Sequence, residues 1–104
     1  MIKIPKKFNV AGQTYTVVMD TGIQMEEDGI LYDCHGLCQP QFNKITINKE
    51  AQLDRKHVTY LHELTHVILH EMGHELYHDE TFISVFSGLL HQVFITSKGE
   101  HACV

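Results

Sequence analysis

The 104-residue chain is long enough to bury roughly two-thirds of the surface its unfolded form exposes, which suits one domain, residues 1–104, folding without cross-links. With 43% hydrophobic and 20% charged residues it is neither disordered nor collagen-like. Its net charge of −5, from 8 basic and 13 acidic residues, argues against a nucleic-acid partner held through phosphates.

In chain order, the basic start Lys3-Ile4-Pro5-Lys6-Lys7 is followed by no apolar run, so no secretory signal is read there. Phe8–Val10 and Thr14–Met19, either side of Ala11-Gly12-Gln13, predict a hairpin. The acidic Glu26-Glu27-Asp28 run predicts a solvated turn, and Ile30-Leu31-Tyr32 a third strand running on toward Leu37. Gln39–Asn43 predicts a turn, and Lys44–Asn48, alternating with period two, a half-buried strand. After Lys49 the period changes. Val58, Leu61, Leu64 or Thr65, Ile68 and Met72 form one helical stripe, with Asp54 as its expected N-cap and Gly73 just past its end. A second helix from His78 or Asp79 carries Phe82, Val85, Phe86, Leu89, Leu90, Val93 and Phe94, opposite a narrow polar stripe of Glu80, Ser84, Ser87 and His91. From residue 97 a polar tail, with Cys103 in it, is expected to be loosely ordered. The plan is α+β: a small, mostly antiparallel N-terminal sheet packed on a two-helix hairpin.

Nothing in this plan spans a bilayer, because the most apolar window, Phe82–Phe94, is short and interrupted; no membrane partner is expected. Three cysteines are an odd count, which suits a reducing compartment and a cytoplasmic location. Cys34, Gly36 and Cys38 would share one strand face. They read as small core residues, since no second Cys or His pair lies nearby to complete a zinc knuckle.

Histidine is the outlying number: nine of 104 residues, seven of them from His57 to His91. His62, His66, His70, His74 and His78 stand four apart, and H-E-x-x-H occurs three times. Residues four apart on a helix lie one turn above each other, so two imidazoles can grip one cation while the adjacent glutamate works on water. Each step of four drifts about 40° and climbs about 6 Å, so only neighbouring rungs pair. His66 with His70 lacks the glutamate. His70 with His74 contains Gly73, and His74 with His78 falls beyond the expected helix end. His62 and His66, with Glu63 between them, remain as the pair. A catalytic Zn2+ needs a third protein ligand and an open position. Chain turning back at Gly73 would point Glu80 across at His62 and His66; Asp79 and His78 stand behind it as alternatives. His91 reads as a polar contact within the hairpin, and His70, Glu71, His74 and Glu75 as an exposed polar edge.

His62-Glu63-Leu64-Thr65-His66, followed by Glu80, then Phe86 six residues on and Leu89-Leu90, resembles the gluzincin metallopeptidases. The likeness is greatest to small phage and mobile-element proteins related to the ImmA/IrrE type, over roughly residues 1–96. Ile83-Ser84 stands where that pattern carries alanine-asparagine. The resemblance implies a zinc-dependent endopeptidase (a hydrolase) acting on a protein or peptide, such as a regulatory protein, held extended along a sheet edge. His62, His66 and Glu80 would be metal ligands and Glu63 the general base. Tyr77, His74, His78 and His91 stay open as oxyanion donors. Two other functions compete. One is a zinc-binding interaction module that captures a partner along an edge strand near Ile45 and Ile47; so short a chain has little left to wall a substrate cleft, which favours it. The other is a metal-sequestering protein using the histidine ladder. Oligomeric state is not readable.

Overall fold

The computed structural model describes residues 3–97; the expected polar tail beyond Ser97, including Cys103, lies outside them. Strand β1 (Lys7–Val10) turns into β2 (Gln13–Asp20) through Ala11 and Gly12, whose φ angles of 50° and 75° make the two-residue turn that matches the strands' right-handed twist. Alternation along β2 drives Tyr15 and Val17 inward, and Tyr15 stacks on Phe8 at 5.5 Å. Strand β6 (Lys44–Asn48) lies parallel to β2, and β5 (Gly36–Gln39) lies antiparallel to β6, giving the order β1-β2-β6-β5.

Parallel pairing of β2 with β6 obliges the chain to leave the sheet and return. It leaves over residues 21–35, which contain a second hairpin of β3 (Gln24–Glu27) and β4 (Ile30–Asp33) closed by Asp28-Gly29, and returns at β5 ahead of β6. Three expectations change here. Glu26 and Glu27 lie in a strand rather than a turn. The anticipated strand from Ile30 to Leu37 is two strands in different sheets, broken at Cys34-His35. Cys34 therefore does not share a strand with Cys38. The edge expected at Ile45 and Ile47 is also displaced: β6 sits between β2 and β5 with both isoleucines fully buried, and the edge on that side of the sheet is β5.

Helix α1 (Leu53–Glu71) covers the sheet, adding Tyr60, Leu61 and Val67 to a core of Tyr15, Val17, Ile45 and Ile47. Its N-cap is Gln52, with no side-chain cap bond; Asp54 lies two residues on, within the first turn. The other end closes as the glycine requires. Gly73 takes φ 65°, its N–H donates to the His70 carbonyl, and the His74 N–H donates to Leu69, both at 2.9 Å. A 3-10 turn at Glu75–His78 leads to α2 (Glu80–Thr96), capped by Asp79, whose carboxylate accepts from the Phe82 N–H at 2.9 Å. None of the described helices is long and apolar enough to cross a membrane.

Both helices are rotated from the stripes expected of them. On α1, Val67 and Leu69 are buried while Ile68 and Met72 are exposed. On α2, Ile83 and Ser87 are buried, whereas Phe82, Val85, Phe86, Leu89 and Val93 lie outward. An α2 that is apolar around most of its circumference gives periodicity no face to choose. The polar stripe chooses instead, because Glu80 has partners on α1 and Ser87 is small enough to sit at the helix contact, its hydroxyl donating to the Ile83 carbonyl at 2.7 Å.

Strand β5 meets α1 through Gly36, where a Cβ would overlap the Thr59 Cγ2 methyl and stand 3.1 Å from the Thr46 carbonyl oxygen. Gly36→Ala should cost about 1–3 kcal/mol, read as a lower melting temperature. Thr59→Ser, which deletes that methyl, should recover part of the loss in the double variant; simple additivity would show that the two residues do not meet as described.

Candidate metal centre

The middle of α1 carries the site. His62 and His66, one helical turn apart, project beside β5 and toward the start of α2, their ring centroids 5.2 Å apart. Glu80, the first residue of α2, reaches back to both: its Oε2 lies 3.0 Å from His62 Nε2 and its Oε1 2.7 Å from His66 Nε2. The two ring nitrogens and the carboxylate thus converge within 4.8 Å. Two imidazoles and a carboxylate on one point form a donor set that suits a borderline divalent cation such as zinc, so the residues present fit the ion the motif implies.

The alternatives for the third position have other places. Asp79 caps α2. His74 caps the 3-10 turn, its Nδ1 accepting from the Leu76 N–H at 3.1 Å. His78 lines the cleft but is not in the converging group. His70 is exposed near the end of α1, against the Tyr77 ring. The ladder breaks where α1 stops, so its lower rungs do not continue one face.

A cleft of about 620 Å³ opens at these residues. Its floor is α1, from Arg55 through Thr59, His62 and Glu63 to His66. One wall is Gly36, Leu37 and Cys38 of β5 with His35 and Met25, and the far end is Tyr77, His78 and Glu80. The chain does therefore build a second wall, from the excursion between β2 and β6. Glu63 sits in the cleft only 8% exposed, and burial, reinforced by the negative charge of Glu80, pushes its carboxyl up to about 8. Burial lowers the His66 pKa, more than Glu80 raises it, which favours the neutral imidazole that ligation needs. Burial and then Glu63 push the Cys38 thiol up to about 12, and Tyr77 is raised by burial and by Cys38, Glu63 and Glu80. Burial is the largest cause of each shift, so the cleft disfavours ionised groups, and a cation among His62, His66 and Glu80 would favour the ionised form of Glu63.

Sequence reasoning brought out His62, Glu63, His66 and Glu80, which the structure places together. It missed Met25, His35, Leu37 and Arg55 as cleft residues, which carry no spacing signal because tertiary packing alone brings them there.

With this geometry in hand, comparison with protein families is informative: residues 7–85 match the peptidase M78 model, the IrrE N-terminal-like domain. The chain belongs to that family. No curated protein and no solved structure matches it. Family and converging donors together support a metallopeptidase-like, metal-dependent function.

The raised Glu63 carboxyl has a consequence for the metal-free chain. A group whose folded pKa lies above its unfolded value stabilises below the unfolded pKa and loses that contribution as pH rises through the folded one. In chelator, Glu63→Gln should therefore match wild type near pH 4.5 and exceed it increasingly toward about pH 8, by on the order of 1–3 kcal/mol. Melting curves across that range check it; equal stability at both ends would mean that Glu63 is well solvated.

Proposed function

We propose that the chain is a zinc metallopeptidase, with His62, His66 and Glu80 holding the ion and Glu63 acting as general base. The observation that carries this reading is the convergence of Glu80, from the start of α2, on both H-E-x-x-H imidazoles, with Glu63 buried in the same cleft. Zinc held there would supply Lewis acidity for a substrate carbonyl and lower the pKa of the attacking water.

The chain's own residues do the rest. Glu63, held on α1 with its side chain in a poorly solvated cleft, accepts the water proton and passes it to the leaving amine. A divalent cation held by His62, His66 and Glu80 would offset the burial that raises the Glu63 pKa, so that Glu63 would be ionised to accept that proton. Strand β5 pairs with β6 on one side only, and Gly36, Leu37 and Cys38 line the cleft. An extended peptide hydrogen-bonded along its other edge would lie over His62 and His66. The substrate is accordingly a protein or peptide presenting an extended segment; a regulatory protein is what the resemblance suggests, and the odd cysteine count suits a cytoplasmic setting.

Tyr77 is the oxyanion donor in this reading. Its ring stands edge-on to His66 at 5.2 Å, it lines the cleft, and its raised pKa keeps the hydroxyl protonated as a donor. His74 is engaged as a cap and His91 does not line the cleft.

Zinc content and hydrolysis of a mixed peptide library test the assignment. Glu63→Gln should keep all its zinc and lose about 10²–10⁴-fold in rate. Glu80→Ala should lose one equivalent of zinc with its activity. Unchanged hydrolysis in Glu63→Gln would sink Glu63 as the general base, and zinc binding without hydrolysis in the wild type would leave a zinc-dependent binding module. Separately, Tyr77→Phe should lower kcat by about 10²-fold with little change in KM. A change confined to KM would make Tyr77 a substrate-packing residue instead.

A further inference from the structure

A second group of metal-capable side chains lies outside the cleft. Asp54 and His57, three residues apart in the first turns of α1, meet His91 from the last turns of α2, and one ligand atom from each lies within 4.8 Å of the others. None of the three lines the cleft. His91 is eleven residues along α2 from Glu80, which separates the two groups by about 16 Å along the helix axis.

Two orphaned atoms single this cluster out. His57 is only 5% exposed, and among the described residues its Nδ1 is buried without a hydrogen-bond partner. His91 Nε2 is buried and unpartnered as well. A neutral imidazole offers one donor and one acceptor nitrogen, and leaving either unsatisfied inside a protein is costly. Two such nitrogens in one cluster, with a carboxylate at its mouth, are groups that a shared cation would satisfy together. Two imidazoles and one carboxylate select a borderline divalent ion rather than calcium or magnesium, which prefer oxygen cages. Exposed Asp54 leaves solvent access for a remaining coordination position. The setting is also electrostatically tolerant. The carbonyl end of α2 favours a cation, the amide end of α1 opposes it, and Asp54 supplies the balancing charge.

We infer that Asp54, His57 and His91 form a second binding site for a zinc-class divalent cation, which ties the beginning of α1 to the end of α2. The polar stripe of α2 then has an anchor at each end: Glu80 against His62 and His66, and His91 against Asp54 and His57. This site is a clamp, and it does not depend on peptide hydrolysis.

The test uses the full chain with the first site disabled by His66→Ala and Glu80→Ala. Titrated with zinc chloride, that chain should still bind one equivalent and melt at a higher temperature when loaded. Cobalt in its place should give the visible absorption of a nitrogen- and oxygen-ligated site. Adding Asp54→Asn and His91→Ala should weaken the remaining equivalent by on the order of 100-fold and abolish the melting shift. Asp54 is exposed, so Asp54→Asn alone tests the site in a folded chain, should the combined variant fail to fold. If the His66→Ala/Glu80→Ala chain binds no zinc, the clamp does not exist and water bridges the two histidines. An ion that persists undiminished after Asp54→Asn and His91→Ala sits elsewhere on the histidine ladder, which overturns the assignment equally.

Discussion

Between His57 and Val67 helix α1 has no exposed residue, and that constraint governs the rest of the molecule. It must offer Tyr60, Leu61 and Val67 to the sheet while burying Glu63, Thr65 and His66, and polar groups lose hydration in such a place. Thr65 meets the demand locally, its hydroxyl donating to the Leu61 carbonyl at 2.7 Å. His66 meets it with Glu80. Glu63 is left with a carboxyl strained toward its neutral form, a cost in stability set where the proposed chemistry needs a base. The scaffold and the candidate site are therefore one helix seen from two faces.

Strand β5 shows how closely the two faces are coupled. Gly36 lets the strand press onto α1 at Thr59, with the Glu63 side chain within van der Waals reach. A bulkier residue would hold the strand off and widen the cleft on the side where a peptide would lie. On the opposite side α2 turns Ser87 inward, reaches the histidines with Glu80, and leaves Phe82 and Phe86 outward. Phe82 and Phe86 stack on each other at 5.7 Å at the surface rather than filling the core. Rotating α2 to bury that row would carry Glu80 away from the histidines.

Much of the site was legible in residue spacing, because the H-E-x-x-H pair needs only helical periodicity to place two imidazoles together. Glu80 was legible too, since Gly73 marks where the chain reverses. The α+β plan and the two helices could be read for the same reason. What escaped was everything that long-range packing decides. Strand pairing has no local signature, so the parallel match of β2 with β6 and the isolation of β3 and β4 were invisible. The inward face of α2 could not be chosen from a helix apolar nearly all round. Asp54 looked like a cap because a cap is the commonest use of an aspartate there; its neighbourhood with His57 and His91 exists only once the hairpin has formed.

The parallel pairing of β2 with β6 separates two kinds of change that the chain can undergo. Residues 21–43 connect the end of β2 to the start of β6, passing through the β3–β4 hairpin and β5, and within them lie Met25, His35, Gly36, Leu37 and Cys38, all of the cleft wall opposite α1. The histidines, Glu63 and Glu80 lie wholly outside this excursion. The reactive groups and the surface that would select what reaches them are thus encoded in separate stretches. Grafting a different segment in place of residues 21–35 would alter part of the wall, at Met25 and His35, while leaving the ligands, β5 and the core intact. In so short a chain, that division leaves room to change targets without rebuilding the chemistry.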